Sequence, residues 1–242
     1  MKDFYLCDLM SNEIILLSIT ALSIGFFHTL LGPDHYLPFI VLSGARKWSV
    51  MKTGLITALC GLGHVGSSVV LGLIGIALGV GISKIEAFES FRGYLAGWAF
   101  IAFGLGYLLW AIWKIRQKRP HSHIHYHEDG TLHEHTHHHS TEHLHQHRKT
   151  MTPWILFIIF VLGPCEPLIP LLMYPAAINS VSGMIIVAAV FSLTTILTML
   201  TVVILAYYGI QFLPMKKVEK YMHVIAGATI LVSGVGIQFL GL

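Results

Sequence analysis

Charged residues are scarce in this sequence. Asp, Glu, Lys and Arg make up only 11% of its 242 residues, whereas 55% are hydrophobic. Soluble domains carry about 25% charged residues, so the composition excludes an ordinary soluble domain and predicts an integral membrane protein. The net charge is only +3, and the basic residues lie near the ends of the apolar runs, which argues against a nucleic-acid partner.

Cysteine is also scarce, and one common catalytic motif is missing. Three cysteines, Cys7, Cys60 and Cys165, are too few and too scattered for a disulfide framework. The sequence has no Gly-x4-Gly-Lys-Ser/Thr loop, which excludes a P-loop site for ATP hydrolysis. We therefore expect a carrier rather than an enzyme, with no organic cofactor.

Long apolar runs are what the sequence has in abundance. Each is long enough for a helix that crosses about 30 Å of hydrocarbon, and none alternates as the strands of a barrel do. We predict an all-α integral membrane protein with six transmembrane helices. The six runs are 13–42, 53–82, 93–114, 153–177, 181–209 and 222–242.

The loops between these runs differ strongly in basic residues. Of the 15 Lys and Arg residues, only Lys2, Lys84 and Arg92 fall on one side, and the remainder fall on the other. Because cytoplasmic loops carry the excess of Lys and Arg, this pattern places both termini outside and the loop 115–152 inside. We expect a multi-pass protein of the cell (inner) membrane.

The chain contains an internal repeat. Two pairs of segments align at a shift of 131 residues, and a third pair aligns at a shift of 130. The pairs are LGPDHYL (31–37) with LGPCEPL (162–168), GLGHVGS (61–67) with SLTTILT (192–198), and LAGWAFIAFGLG (95–106) with IAGATILVSGVG (225–236). This pattern predicts two three-helix units, 1–114 and 153–242, joined by a disordered, His-rich cytoplasmic loop, 115–152.

An odd number of spans in each unit means that the two units enter the membrane with opposite polarity. The result is a 3+3 inverted repeat, an arrangement common among secondary transporters. Each unit carries a Gly-Pro pair, Gly32-Pro33 and Gly163-Pro164, within its first span. Proline removes a backbone donor and glycine permits unwinding, so we predict broken first and fourth helices.

Polar side chains gather around the two predicted breaks. Asp34 and Glu166 are the two carboxylates in the interior of the predicted spans, and an ionised group at the bilayer centre costs at least about 2.5–3.5 kcal/mol. Nitrogen, oxygen and sulfur donors together suit a divalent transition metal, which would offset that cost. The candidate metal ligands are His28, Asp34, His35, Cys60, His64, Cys165 and Glu166.

Some of these residues have simpler interpretations. Cys60 is also explained as a small packing residue, and His64 as a hydrogen-bonding partner of a neighbouring helix. Hydroxyl side chains in membrane helices often bond to their own backbone, so we expect them to line the pathway rather than bind metal. These lining candidates are Ser67, Thr194, Thr195 and Thr198.

The central loop is rich in histidine, a composition typical of metal binding. A pH-sensing role is an alternative, since His titrates near pH 6.5. Residues 121–147 contain 12 of the 16 histidines: His121, His123, His125, His127, His133, His135, His137, His138, His139, His143, His145 and His147.

Two segments resemble known families. FHTLLGPDH followed by GLGH resembles the NicO-type nickel/cobalt transporters, including their RcnA-like and UreH-like members, and implies that His28, Asp34, His35 and His64 handle metal. GPCEP in the second half is similar to the Pro-Cys breaks of CcdA/DsbD-like thiol-electron carriers. Those carriers use a cysteine in each half, and this chain has Asp34 in place of the first.

The sequence therefore predicts a secondary transporter of a divalent transition metal, nickel or cobalt first and zinc or another ion next. The resemblance favours export over import, and Asp34 and Glu166 are candidate carriers of exchanged protons. The expected partners are membrane lipid, metal ions and protons. The alternatives are a CcdA/DsbD-like membrane thiol-redox carrier and a small-solute exporter with a metal-sensing loop.

The predicted orientation can be tested by epitope accessibility. An epitope inserted after Gly130 should be reached by antibody only in inside-out vesicles, because the flanking basic residues hold the loop in the cytoplasm. An epitope before Met1 serves as the control and should be reached in right-side-out vesicles. The reverse labelling pattern would contradict the orientation.

Overall fold

The computed structural model describes residues 2–117, 122–126, 132–136, 151–178, 180–211 and 221–240. The helices are α1 (Lys2–Leu31), α2 (Leu37–Arg46), α3 (Val50–Ala77), α4 (Ile82–Gln117), α5 (Thr152–Leu162), α6 (Leu168–Ala177), α7 (Val181–Gln211) and α8 (Met222–Leu240). A 3-10 turn, Pro33–His35, separates α1 from α2, and two strands, β1 (Ser122–Tyr126) and β2 (Leu132–Thr136), lie between α4 and α5.

Five of the described helices are long and apolar enough to cross a membrane, namely α1 from Asn12 onward, α3, α4, α7 and α8. Large apolar side chains stay exposed on these helices, as at Leu31 and Leu205. An apolar surface of this extent is expected where a helix faces lipid. The helical, multi-pass character predicted from composition is confirmed, whereas the orientation in the membrane stays a prediction.

The chain leaves the helical path at both Gly-Pro pairs. α1 ends at Leu31, and Pro33 begins the 3-10 turn. α5 ends at Leu162, and Gly163 adopts an extended conformation (φ −60°, ψ 132°). Proline lacks the backbone donor that would continue either helix. The segments that the sequence treats as the first and fourth spans are thus each formed by two helices, α1 with α2 and α5 with α6.

α4 and α8 approach each other through glycine. A Cβ added to Gly104 would lie 2.7 Å from the Cα of Leu231, and one added to Gly234 would lie 2.7 Å from the backbone nitrogen of Ile101. Both distances are far below a van der Waals contact, so only glycine permits this spacing. Small residues allow membrane helices to pack backbone against backbone, and this contact joins the two halves of the chain.

One detail of the sequence interpretation is wrong. α4 begins at Ile82 rather than at residue 93, so Arg92, assigned above to an external loop, is a buried helical residue paired with Glu89. In the central loop, β1 and β2 pair as an antiparallel ribbon. The rest of residues 118–150 lies outside the described residues, and the division into three units with a disordered loop stays a prediction.

Adding one methyl group at the α4–α8 contact should destabilise the protein. We expect Gly104→Ala to lower the free energy of unfolding by about 1–3 kcal/mol, because the new Cβ would overlap backbone atoms of α8. Gly106 has nothing within 4 Å of an added Cβ, so Gly106→Ala is the matched control and should be neutral or stabilising. Thermal unfolding in detergent measures both, and equal melting temperatures would contradict the close contact.

Candidate functional site

Three histidines from separate segments meet beside the first helix break. His28 lies in the last turn of α1, His35 in the 3-10 turn and His64 in the middle of α3. The ring centroids are 4.9 Å apart for His28 and His35 and 5.1 Å apart for His35 and His64. One potential ligand atom from each of the three rings lies within 4.8 Å of the other two.

The free nitrogens of these rings are turned away from solvent. In the part of the chain that the structure describes, the Nε2 atoms of His28, His35 and His64 are buried and have no hydrogen-bond partner. A buried polar atom without a partner costs about 1–3 kcal/mol, so three such atoms in neighbouring rings require an explanation. A shared ligand is the simplest one, because each Nε2 can offer a lone pair to the same ion.

The opposite nitrogens of two rings are held in place. His35 Nδ1 lies 3.2 Å from Asp34 Oδ1 and 3.2 Å from the Gly32 carbonyl oxygen, and His64 Nδ1 lies 3.3 Å from the Phe160 carbonyl oxygen. When Nδ1 carries the proton and donates it to these oxygens, Nε2 is the unprotonated nitrogen. Metal-binding histidines are commonly oriented in this way by a carboxylate or a backbone carbonyl.

The glycines of the two breaks make room for these rings. A Cβ on Gly32 would lie 2.6 Å from His35 Nδ1, and a Cβ on Gly163 would lie 3.1 Å from His64 Nδ1. The same glycines that end the helices therefore allow the imidazoles to lie against the backbone.

A cavity of about 860 Å³ joins the two breaks. Its lining includes the three histidines, Asp34 and, from the second break, Glu166. An ion held at 2.0–2.1 Å by imidazole nitrogens brings its ligands to roughly 3–4 Å from one another, so modest ring rotations would close the observed spacing. Imidazole suits zinc, copper, iron and nickel, and the nearby Asp34 carboxylate could add an oxygen ligand.

The two buried cysteines lie outside this cluster. Cys60 packs with Phe39 and Met199 in one buried cluster, while Cys165 belongs to a second one, and both are at most 1% exposed. The backbone nitrogen of Cys165 donates to Ser68 Oγ, eight residues along α3 from Cys60, which corresponds to about 12 Å of helix. A disulfide requires Cα atoms within about 7 Å, so this conformation does not bring the thiols together.

The predicted lining residues divide into two groups. Ser67 Oγ donates to the His64 carbonyl oxygen and accepts from Arg92, so it holds the backbone beside the site. Thr194, Thr195 and Thr198 lie on α7, and none of them lines the described cavity. Thr195 is fully buried, with its Oγ1 about 3.4 Å from where a Gly25 Cβ would be, which places it in the α1–α7 contact.

The sequence interpretation missed a buried ion pair next to the site. Glu89 and Arg92 pair on α4, and Ser68 Oγ donates to Glu89 Oε2 at 3.1 Å. Arg92 Nη2 also donates to the carbonyl oxygens of Val161 (2.7 Å) and Gly163 (3.3 Å), where α5 ends. These carbonyl oxygens have no hydrogen-bond partner within α5, and Arg92 donates to them instead. The i, i+3 spacing of Glu and Arg in ESFR was the available signal.

This ion pair should be essential for stability. Arg92→Met leaves the Glu89 carboxylate buried without its partner, and we expect a loss of about 3–5 kcal/mol in unfolding free energy. The matched variant Glu89→Gln/Arg92→Met removes the uncompensated charge and should recover part of that loss. Thermal unfolding measures both, and a double variant less stable than the single one would contradict the pairing.

Comparison with known proteins corrects the family resemblance. Residues 37–236 match the family described as the cytochrome c biogenesis protein transmembrane region. No curated protein matches the chain, and no solved structure matches it. The NicO-type resemblance is wrong, because it was carried by short histidine motifs, whereas this match spans both halves and most of the chain. The chain belongs to the cytochrome c biogenesis protein transmembrane region family.

Proposed function

We propose that this protein is a secondary transporter that carries a divalent transition-metal ion through the cavity between its two helix breaks. His28, His35 and His64 are the ligands. The observation that carries the proposal is that three histidines line one cavity and that the buried Nε2 atom of each is unpartnered among the described residues. Neither helix break supplies such a group alone, since His64 comes from α3.

The surrounding charges fit a cation as the substrate. Asp34 lies beside His35, and Glu166 lines the same cavity from the opposite break. An ion with two positive charges would offset both carboxylates in apolar surroundings. Metal binding by such ligands releases protons in general, so we propose that the metal is exchanged for protons.

The architecture that we propose for transport is the 3+3 inverted repeat. It is supported by reciprocal contacts between α4 and α8. Gly104 lies against Leu231 and Gly234 against Ile101, and the 130-residue shift of the sequence repeat exchanges these two pairs. Inverted repeats of this kind move a substrate by rocking one half against the other around a central site.

The metal is proposed only by class. Imidazole ligands with one carboxylate suit zinc, nickel, cobalt and copper alike, and ligand type alone separates them poorly. The family match lends no support to nickel or cobalt in particular. We propose export because the His-rich loop is predicted to lie in the cytoplasm, where it would collect excess ion.

A membrane thiol-redox carrier is the second candidate, and the family match favours it. Such a carrier needs two thiols that exchange electrons at contact distance. Cys60 and Cys165 are buried in separate clusters, and Ser68, which contacts Cys165, lies about 12 Å along α3 from Cys60, so this function would require α3 to move against the second break. The side-chain geometry therefore supports metal transport better, whereas the family match supports the thiol-redox function better.

Metal flux in proteoliposomes separates the two candidates. We expect His64→Gln to lower the initial rate of Zn²⁺, Ni²⁺ or Co²⁺ uptake by at least ~10-fold, because a ligand should matter at least as much as the groups that orient it. The control, Cys60→Ser/Cys165→Ser, keeps both cysteine positions filled by a small side chain and should retain metal flux. Elution on size exclusion checks the fold of each variant.

Two results would overturn the metal proposal. One is unchanged metal flux in His64→Gln. The other is a double cysteine variant that loses the transfer of reducing equivalents to a lumenal thiol reporter, while wild type performs that transfer and moves no metal. The second result would establish the thiol-redox function instead.

A further inference from the structure

The guanidinium of Arg92 connects α4 with two helices that hold His64 in place. Its Nη2 atom donates to Ser67 Oγ (2.5 Å), and Ser67 Oγ donates in turn to the His64 carbonyl oxygen (2.8 Å) on α3. The same Nη2 atom donates to the carbonyl oxygens of Val161 (2.7 Å) and Gly163 (3.3 Å) at the end of α5. One side chain therefore joins the turn of α3 that carries His64 to the end of α5.

The end of α5 also orients the imidazole of His64. The carbonyl oxygen of Phe160 lies 3.3 Å from His64 Nδ1, and a Cβ on Gly163 would lie only 3.1 Å from the same nitrogen. The hydrogen bond that one ring nitrogen makes decides which nitrogen carries the proton. A shift of α5 along α3 would therefore change both the tautomer of His64 and the direction of its ring.

The position and the shape of the Arg92 side chain suit this role. A Cβ on Gly93 would lie 2.9 Å from Pro164 Cγ, so glycine lets α4 pack closely against the second break. Arg92 Nη1 pairs with Glu89, which leaves Nη2 for Ser67 and the end of α5. A guanidinium presents its donors as a planar fork, whereas a lysine ammonium is a compact point charge. The substitution Arg92→Lys thus separates charge from fork geometry.

We propose that Arg92 is a positioning residue for the metal site: it holds α3 against the end of α5, so that His64 keeps its proton on Nδ1 and offers Nε2 to the ion. Arg92 is not among the residues that line the described cavity, so it acts through His64. The inference rests on the proposed function, because it treats His64 as a ligand. A merely structural role would make losses of metal affinity follow losses of stability.

Two variants distinguish positioning from stability. Arg92→Lys keeps a positive charge beside Glu89 but loses the fork, and we expect it to weaken Co²⁺ binding by at least ~10-fold. Glu89→Gln is the matched control, because it keeps the Arg92 donors but leaves a buried guanidinium without its charge partner. We expect this control to have the lower melting temperature of the two and to keep its Co²⁺ affinity while folded.

The titration uses the full-length chain in nanodiscs and the visible absorption of bound Co²⁺. In every variant the 12 histidines of residues 121–147 are replaced by Asn, so that the signal reports on the central site. Ser67→Ala breaks the link between Arg92 and α3 and leaves the ion pair in place, so it should weaken Co²⁺ binding too. This variant tests the proposal even if Arg92→Lys does not fold.

A second measurement needs no metal. ¹⁵N NMR of the same proteins at alkaline pH shows which imidazole nitrogen carries the proton, and His64→Gln identifies the signal of His64. We expect the proton on Nδ1 in wild type and in Glu89→Gln, and a shift towards Nε2 in Arg92→Lys, because α5 no longer holds the ring.

Three results would overturn the proposal. The first is an unchanged His64 signal in Arg92→Lys, the second is unchanged Co²⁺ affinity in that variant, and the third is an equal loss of affinity in Glu89→Gln. If wild type binds no Co²⁺, the proposed metal function fails, and the His64 signal alone decides whether Arg92 positions the ring. Failure of the metal function is thus distinguishable from failure of the positioning role.

Discussion

Backbone polar groups that leave a helix in apolar surroundings must find partners within the protein, and this constraint organises the molecule. The chain leaves its helices at Gly32-Pro33 and at Gly163-Pro164. Each departure frees carbonyl groups that lipid cannot hydrogen-bond. At the first break His35 Nδ1 approaches the Gly32 carbonyl, and at the second Arg92 reaches the carbonyls of Val161 and Gly163. The polar side chains near the breaks therefore have a structural role, which is to provide partners for these carbonyl groups.

The two breaks satisfy this requirement with different chemistry, and the difference shapes the site. At the second break, the buried Glu89 and Arg92 form an ion pair and neutralise each other, so neither group is available to bind a ligand in the cavity. At the first break the partners are imidazoles, and each imidazole that uses Nδ1 internally still has Nε2 available. The nitrogen atoms that could bind a ligand therefore belong to His35 and His64, whereas the second break contributes part of the cavity wall and the Glu166 carboxylate.

The sequence was sufficient where the signal is local or compositional. Apolar runs gave the helices, and the Gly-Pro pairs gave the points where α1 and α5 end. The central histidines could be grouped because they flank a break, but their contact with α3 depends on packing. Cys60 and Cys165 were grouped with them because sulfur is a good ligand, although tertiary packing buries each thiol elsewhere. The pair of Glu89 and Arg92 was not predicted, because polar residues in this segment interrupt the apolar run. The predicted span therefore begins later than α4 does.

The family match favours a thiol-redox function, whereas the side chains at the site favour metal binding, and the two are compatible. A family describes a scaffold, whereas function depends on the groups placed on it. The matched breaks read Gly-Pro-Asp in one half and Gly-Pro-Cys in the other, so only the second carries a thiol. A single thiol at the breaks cannot form an intramolecular disulfide there, while a carboxylate that orients an imidazole favours metal binding. The same pair of broken helices that could bring two sulfurs together can equally bring a cation between carboxylates and imidazoles, and the second use is the one that we propose.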